Sequence, residues 1–234
     1  TTATSNVGIG YQAGQNVTTG GYSVYIGDNA GRTITDAASN VMIGYQAGYP
    51  LGSSASSNVI VGGNAAVAAT ASTNDSVIIG QEAGYSTGGK QIAIGKRSLY
   101  FPEGNYNIAI GQSAMYGASS PTTAQNNVAI GRQASFSATS ASGNTIIGNE
   151  AGYTNTDGND NVLIGYKAGR TINGGTGRNV MVGSQAGQSA TTTDASTIIG
   201  YQAAGGSALT GDYNTAVGFQ SGYALIGAVE GNVL

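Results

Sequence analysis

Residues Asn40 to Gly48 read N-V-M-I-G-Y-Q-A-G, and variants of this segment recur along the whole 234-residue chain. An Ile-Gly or Val-Gly dipeptide marks each of thirteen copies. The glycines of these dipeptides are Gly10, Gly27, Gly44, Gly62, Gly80, Gly95, Gly111, Gly131, Gly148, Gly165, Gly183, Gly200 and Gly218. The interval is shortest between Gly80 and Gly95 and longest between Gly111 and Gly131. Such a short repeat period is typical of a solenoid, in which each repeat packs only on its neighbours.

The three residues before each of these glycines predict a short β-strand. The first is Val, Ile or Thr and the third is Ile or Val in every copy, as at Val41 and Ile43. Residues two apart on an extended chain point to the same side, and β-branched side chains favour that conformation. We therefore expect these two positions to form one buried face. The high content of Gly and Thr disfavours a helix, so the sequence predicts an all-β fold.

The middle residue of each strand points to the other side, and it is also apolar in most copies. A strand face that meets water is usually polar, so this second face should be covered by another copy of the chain, or by a long loop that folds over it. The predicted oligomer face consists of Met42, Ile60, Ile78, Ala93, Ala109, Ala129, Ile146, Leu163, Met181, Ile198 and Ala216.

The residues around the strands predict a tight corner and a repeated polar contact. Glycine follows the strand in every copy, which suggests a backbone conformation or a close approach that a Cβ would obstruct. Three residues later stands Ala, or Ser in two copies, which suggests a small inward position. Nine copies open with Asn. Stacked Asn side chains can form an amide ladder, or each can serve its own turn, and the two roles are compatible.

Together these features predict a parallel β-solenoid of about thirteen rungs, each about 17–18 residues long. Residues 1–234 form a single repeat domain, and a fourteenth copy begins at Asn232, which suggests a fragment of a longer chain. Each rung buries few large side chains, so we expect the chain to be stabilised as a homo-oligomer.

Composition narrows the function classes. The chain has no His, Cys or Trp, which excludes disulfides, Cys/His zinc sites and Ser-His or Cys-His triads. We expect no enzyme activity and no cofactor. The net charge of −3 argues against nucleic acid or an anionic membrane as a partner. No apolar run approaches the length of a transmembrane helix, so no membrane insertion is expected in this segment.

The strand-and-corner segments resemble two groups of fibrous proteins. Residues 127–135 (NVAIGRQAS), 91–98 (QIAIGKRS) and 107–114 (NIAIGQSA) resemble the head repeats of trimeric autotransporter adhesins. The N-V-x-I-G-Y-Q-A-G form is also similar to repeats of phage tail-fibre-like proteins. The resemblance covers essentially the whole chain, although the rungs here are longer and less uniform than those of the adhesins. It implies parallel β-rolls that associate as trimers, located outside the cell, at the cell surface or on a virion.

Other functions are weaker alternatives. The segment I-G-Y-Q-A-G resembles one unit of the hexapeptide acyltransferases, but it occurs once per rung, and those enzymes use a His that this chain lacks. A helical extracellular filament is the main rival to a fibre segment. An ice-binding solenoid needs a regular Thr array, which return segments of variable length disfavour. A tailspike-type enzyme needs two converging acids, whereas Glu82 and Glu150 are expected four rungs apart on a convex surface.

Several polar or aromatic groups are candidate sites. An outward row of aromatic residues predicts either an adhesive surface for a glycan or protein receptor, or rings that pack between rungs or cover a partner chain. Its members are Tyr11, Tyr45, Tyr166, Tyr201 and Phe219. The loop at 117–126 is a candidate receptor contact.

Residues 157–161 (D-G-N-D-N) predict a polar turn rather than a calcium site. Lys96, Arg97 and Arg132 predict a solvated face, and glycosylation triplets begin at Asn16 and Asn74.

Overall fold

A computed structural model describes residues 3–68, 73–86, 88–101, 104–117, 122–173, 177–206, 208–227 and 230–234. These residues form thirteen strands of three residues each and contain no helix. The strands are β1 Val7–Ile9, β2 Val24–Ile26, β3 Val41–Ile43, β4 Val59–Val61, β5 Val77–Ile79, β6 Ile92–Ile94, β7 Ile108–Ile110, β8 Val128–Ile130, β9 Thr145–Ile147, β10 Val162–Ile164, β11 Val180–Val182, β12 Thr197–Ile199 and β13 Thr215–Val217.

All thirteen strands belong to one parallel sheet in chain order. Equal positions of the repeat face each other, as Val128, Ala129 and Ile130 face Thr145, Ile146 and Ile147. The chain is therefore a β-solenoid of about twelve turns, which confirms the predicted parallel architecture. We call each strand with its following corner and return segment a rung, numbered as its strand. At about 4.7–4.9 Å per strand the sheet is roughly 60 Å long.

The direction of the two strand faces differs from the sequence prediction. Every middle residue from Tyr25 to Ala216 is buried inside its own chain, with at most 1% of its surface exposed. The first and third residues are half-buried or exposed, up to 57% at Ile9 and 55% at Val217. The predicted oligomer face is thus wrong. The residues assigned to that face lie in the solenoid core instead: Met42, Ile60, Ile78, Ala93, Ala109, Ala129, Ile146, Leu163, Met181, Ile198 and Ala216.

The physical reason lies in the Asn that opens nine of the thirteen rungs. Asn40 precedes the middle residue Met42 by two positions, so both side chains point to the same side of the extended chain. Both are 0% exposed. The corner Ala, such as Ala47, is also fully buried and faces the same interior. A residue this small at the corner leaves a narrow interior. The middle residues are the apolar side chains that fill this narrow space.

Two positions of the repeat share the same interior volume. Where the middle residue is large, as at Leu163 or Met42, the residue four places after the corner glycine is Gly169 or Gly48. A Cβ there would lie 2.8 Å from Leu163 Cδ2 or 2.6 Å from Met42 Sδ. In three rungs whose middle residue is only Ala, this later position holds a larger, buried side chain. The pairs of this second kind are Ala93 with Leu99, Ala109 with Met115, and Ala129 with Ser135.

The buried Asn side chains form the predicted ladder. The Asn127 backbone N–H and Nδ2 both donate to Asn107 Oδ1, at 3.1 Å each. Asn144 repeats these two bonds to Asn127, and Asn161 repeats them to Asn144. Asn144 Nδ2 also donates to the Gly158 carbonyl at 2.9 Å. Each amide therefore joins neighbouring strands and also fixes a return segment to the sheet.

Removing one ladder amide should cost measurable stability. Asn144→Ala deletes the acceptor of two bonds from Asn161, at 2.9 and 3.0 Å, inside the rod. We expect the free energy of unfolding to fall by about 1–3 kcal/mol, because buried donors lose their partner. Chemical denaturation measures this loss. The exposed Asn105 is the control, and Asn105→Ala should change stability by less than about 0.5 kcal/mol. Equal effects at the two sites would contradict the ladder.

The corner glycines have the conformation that the sequence suggested. Gly131 has φ +133°, and a Cβ on it would lie 2.5 Å from the Gly148 carbonyl oxygen of the next rung. Two residues later each rung holds a non-glycine residue in the left-handed region, such as Gln133 at φ +56°. The chain therefore turns sharply in every rung.

Candidate functional surface

The first and third strand positions form a long apolar strip on the surface, which we call the outer face. Its members are Val or Ile at every position except Thr145, Thr197 and Thr215, and none is charged. The face follows the sheet for roughly 60 Å. Most of these side chains are half-buried, and six of them are exposed by 36–57%. A long apolar strip of this kind is a candidate interaction surface. Sequence reasoning missed it because these residues were placed in the interior.

The predicted aromatic row lies beside the outer face, one residue past the corner glycine. Its five members are exposed by 46–73%: Tyr11, Tyr45, Tyr166, Tyr201 and Phe219. Tyr201 and Phe219 lie on neighbouring rungs and stack at 5.5 Å between ring centroids. Tyr11, Tyr45 and Tyr166 are each separated by at least one rung from the next member of the row. The row is thus an interrupted series of exposed rings.

A second aromatic group is a continuous stack, which we call the aromatic ladder. Its rings come from five successive rungs, with centroids 4.7–5.1 Å apart and planes within 13° of parallel. The members are Tyr85, Tyr100, Tyr116, Phe136 and Tyr153. Ring faces are covered by neighbouring rings, and the Arg170 guanidinium lies 5.1 Å from the Tyr153 ring centroid. The rings therefore pack on each other and leave no space for a sugar between them.

Charged residues gather at the corner next to the aromatic ladder. We call this group the cationic corner; it consists of Lys96, Arg97, Arg132, Lys167, Arg170, Glu82 and Glu150. Glu150 accepts from Arg170 Nε at 2.9 Å and lies 3.2 Å from Arg132 and 4.0 Å from Lys167. The Arg170 hydrogen bond holds the pKa of Glu150 below its usual value. Glu82 pairs with Arg97.

These ion pairs involve the two acids, Glu82 and Glu150, that the sequence analysis considered as a catalytic pair. Glu82 lies on rung 5 and Glu150 on rung 9, each in an ion pair with arginine. The two carboxylates do not converge in a cleft, as glycoside hydrolysis requires. Among the described residues, no group of three or more His, Cys, Asp or Glu is arranged to hold a metal ion.

The remaining candidates are local structural features. Asn155 Oδ1 accepts from the Gly158 N–H at 3.0 Å, and its Nδ2 donates to the Gly158 carbonyl. The Asn155 side chain therefore stabilises a turn that includes the first part of the segment 157–161. Asn74 Oδ1 accepts from the Ser56 N–H at 2.7 Å, whereas Asn16 is exposed. The loop at 117–126 includes residues 118–121, which lie outside the described part of the chain.

A shallow notch opens beside β6. Rungs 5 and 6 are the shortest rungs, since β5, β6 and β7 begin at Val77, Ile92 and Ile108. The notch has a volume of about 200 Å³ and is lined in part by Lys90 and Tyr106. Lys90 Nζ lies 5.3 Å from the centroid of the Tyr106 ring and 3.3 Å from its hydroxyl, so the lysine covers part of the ring.

A search for membrane-spanning helices and three comparisons with known proteins complete the description. Within the described ranges, no helix has the length and apolar character needed to cross a membrane. No protein-family model, curated protein or solved structure matches the chain.

Proposed function

We propose that the chain is a non-enzymatic structural segment of an extracellular or virion-borne fibre, and that it assembles as a homotrimer through the outer face. The observation that supports this proposal is the outer face itself, an uncharged strip of mostly Val and Ile along the rod. A rigid solenoid of this length acts as a spacer. The resemblance of residues 127–135 to adhesin head repeats supports three copies and a location outside the cell.

The energetics of the outer face favour association. Covering roughly 30 Å² of apolar surface on one side chain contributes about 0.8 kcal/mol. Summed over the Val and Ile side chains of the outer face, the total is about 18 kcal/mol per chain. This exceeds most estimates of the cost of lost translation and rotation, about 4–15 kcal/mol per association. The outer face is therefore large enough to hold copies together.

A second copy of the chain is the partner that fits best. The outer face carries no charge, so identical faces meet around a symmetry axis without like-charge repulsion. Equal strand positions also recur along the whole sheet, for example Val162 opposite Val180. Parallel copies can therefore match one another rung for rung.

The mass of the protein in solution tests this proposal. Light scattering at micromolar concentration should give three times 23.1 kDa for the natural chain. Ile130→Asp places a charge at the middle of the outer face and should reduce the mass to that of one chain. Ser140→Asp is the matched control, because Ser140 is exposed on the return segment of the same rung, and this variant should remain trimeric. A natural chain that is monomeric would refute assembly, and a dimer would refute the number three.

The exposed aromatic row supports adhesion as an additional role of the same fibre. Exposed rings beside amides such as Gln46 and Gln202 suit stacking on sugar rings, and Tyr45 and Tyr166 are 54% and 46% exposed. A glycan array compared between the natural chain, Tyr45→Ala and Tyr166→Ala tests this role. Binding that survives both changes would assign adhesion to another surface.

A further inference from the structure

The distribution of charge around the rod is strongly uneven. The cationic corner contains five cations and two carboxylates, a net charge of +3. The chain as a whole has a net charge of −3, so everything outside the corner carries −6. Only 8% of all residues are charged, yet five of the eight cations lie on this one corner, between rungs 6 and 10.

Within the cationic corner, the charges are arranged along the rod axis. Rungs 6 to 10 span roughly 19 Å at the spacing of parallel strands. Three cations of rungs 8 and 10 share the single carboxylate of Glu150, which leaves a local charge of +2. The side chain of Arg132 is 50% exposed and that of Arg170 is 34% exposed. Arg132 also donates to Gln133 Oε1 at 2.9 Å, which positions its guanidinium.

We propose that the cationic corner binds a linear anionic polysaccharide that carries carboxylate or sulfate groups. An extended ligand of this kind can follow the rod from rung 6 to rung 10 and meet Lys96, Arg132 and Arg170 in turn. Guanidinium groups bind carboxylate and sulfate oxygens through paired hydrogen bonds. Polar side chains on the same corner, such as Gln112 and Asn149, are suited to the sugar hydroxyls.

Nucleic acid fits this surface less well. Proteins that bind single strands stack the bases on free aromatic rings, whereas the rings of the aromatic ladder are 4.7–5.1 Å apart and cover each other. Duplex DNA carries one negative charge per about 1.7 Å, and the charge of −6 elsewhere on the rod repels such a dense polyanion. A polysaccharide with fewer charges along its length is repelled less.

Binding to immobilised dextran sulfate and polygalacturonate, with neutral dextran as reference, tests this inference. We expect both anionic polymers to bind and neutral dextran not to bind. The double variant Lys96→Gln, Arg132→Gln should weaken binding about tenfold or more, since charge-assisted hydrogen bonds are lost. The matched control Lys90→Gln, Arg32→Gln makes the same change of charge elsewhere and should alter binding less than about twofold.

Glu150→Gln gives an opposite expectation in the same assay. It removes the carboxylate that three cations share, so the local charge rises from +2 to +3 and binding should become tighter. Equal losses in the two double variants, weaker binding in Glu150→Gln, or tighter binding of a DNA duplex than of either polymer would each overturn the inference. Light scattering on the same variants reports assembly separately. Binding by Ile130→Asp would show that a single chain carries the site.

Discussion

Ala129→Asp should unfold the solenoid, whereas Ile130→Asp should leave each chain folded. Ala129 is 0% exposed in the core, while Ile130 belongs to the half-buried outer face. A carboxylate forced into the narrow apolar interior loses its water and has no room, and a loss of more than about 4–5 kcal/mol is expected. Circular dichroism and denaturant unfolding should show loss of the sheet at Ala129→Asp under conditions in which Ile130→Asp remains folded.

Ala129→Ser is the control for this experiment. It is nearly the same size as Ala and should cost far less than Asp, so a large effect of Ser would indicate sensitivity to any change rather than to charge. Unfolding by Ile130→Asp together with tolerance of Ala129→Asp would mean that the strand faces point the other way. Association stabilises a folded chain by mass action, so the two variants are compared at equal protein concentration. Light scattering on the same samples separates loss of assembly from loss of the fold.

The sequence predicts the backbone path but not which side of the strand is the interior. The Ile/Val-Gly period, the β-branched residues and the corner glycine are local signals, and they define strands, parallel stacking and the turn at Gly131. The choice of face failed because both sides are apolar and apolar character alone does not distinguish them. The buried Asn is the missed signal, since Asn127 and Ala129 are two positions apart and must share a side.

The surfaces that carry the proposals were only partly predictable. The exposed aromatic row was identified because its members occupy one position of the repeat. The cations Lys96, Arg97 and Arg132 were expected to form a solvated face. Their grouping with Glu150 and Arg170 was not predicted, because Arg132, Glu150 and Arg170 come from three different rungs and occupy three different positions of the repeat. They meet only when rungs stack. To predict contacts between different repeat positions on neighbouring rungs, one must know how the rungs align. The return segments vary in length, so the sequence does not give that alignment directly.

Ile146→Ala should destabilise the chain, and adding Gly152→Leu should restore part of the loss. Ile146 is fully buried, so its truncation leaves a cavity and should cost about 2–5 kcal/mol. A Cβ on Gly152 would lie 3.0 Å from Ile146 Cδ1 and 3.0 Å from Leu163 Cδ1 of the next rung. Leu at this position therefore grows toward the cavity but also presses on Leu163. Leu99 already occupies the equivalent position beside Ala93, with φ +47° compared with +53° at Gly152. The left-handed conformation therefore accepts Leu in this fold.

A double-mutant cycle in chemical denaturation isolates the effect. Gly152→Leu alone should destabilise the chain by about 1–3 kcal/mol through overpacking against Ile146, yet in the Ile146→Ala background it should stabilise. The matched control is Gly187→Leu, which lies two rungs away beside Met181; its cost should simply add to that of Ile146→Ala. If the stability losses of Ile146→Ala and Gly152→Leu also simply added, the side chains at positions 146 and 152 would not share one interior volume. A change of sign would show that the interior is specified by total volume per rung, since the repeat then keeps its shape whichever of the two positions supplies the side chain.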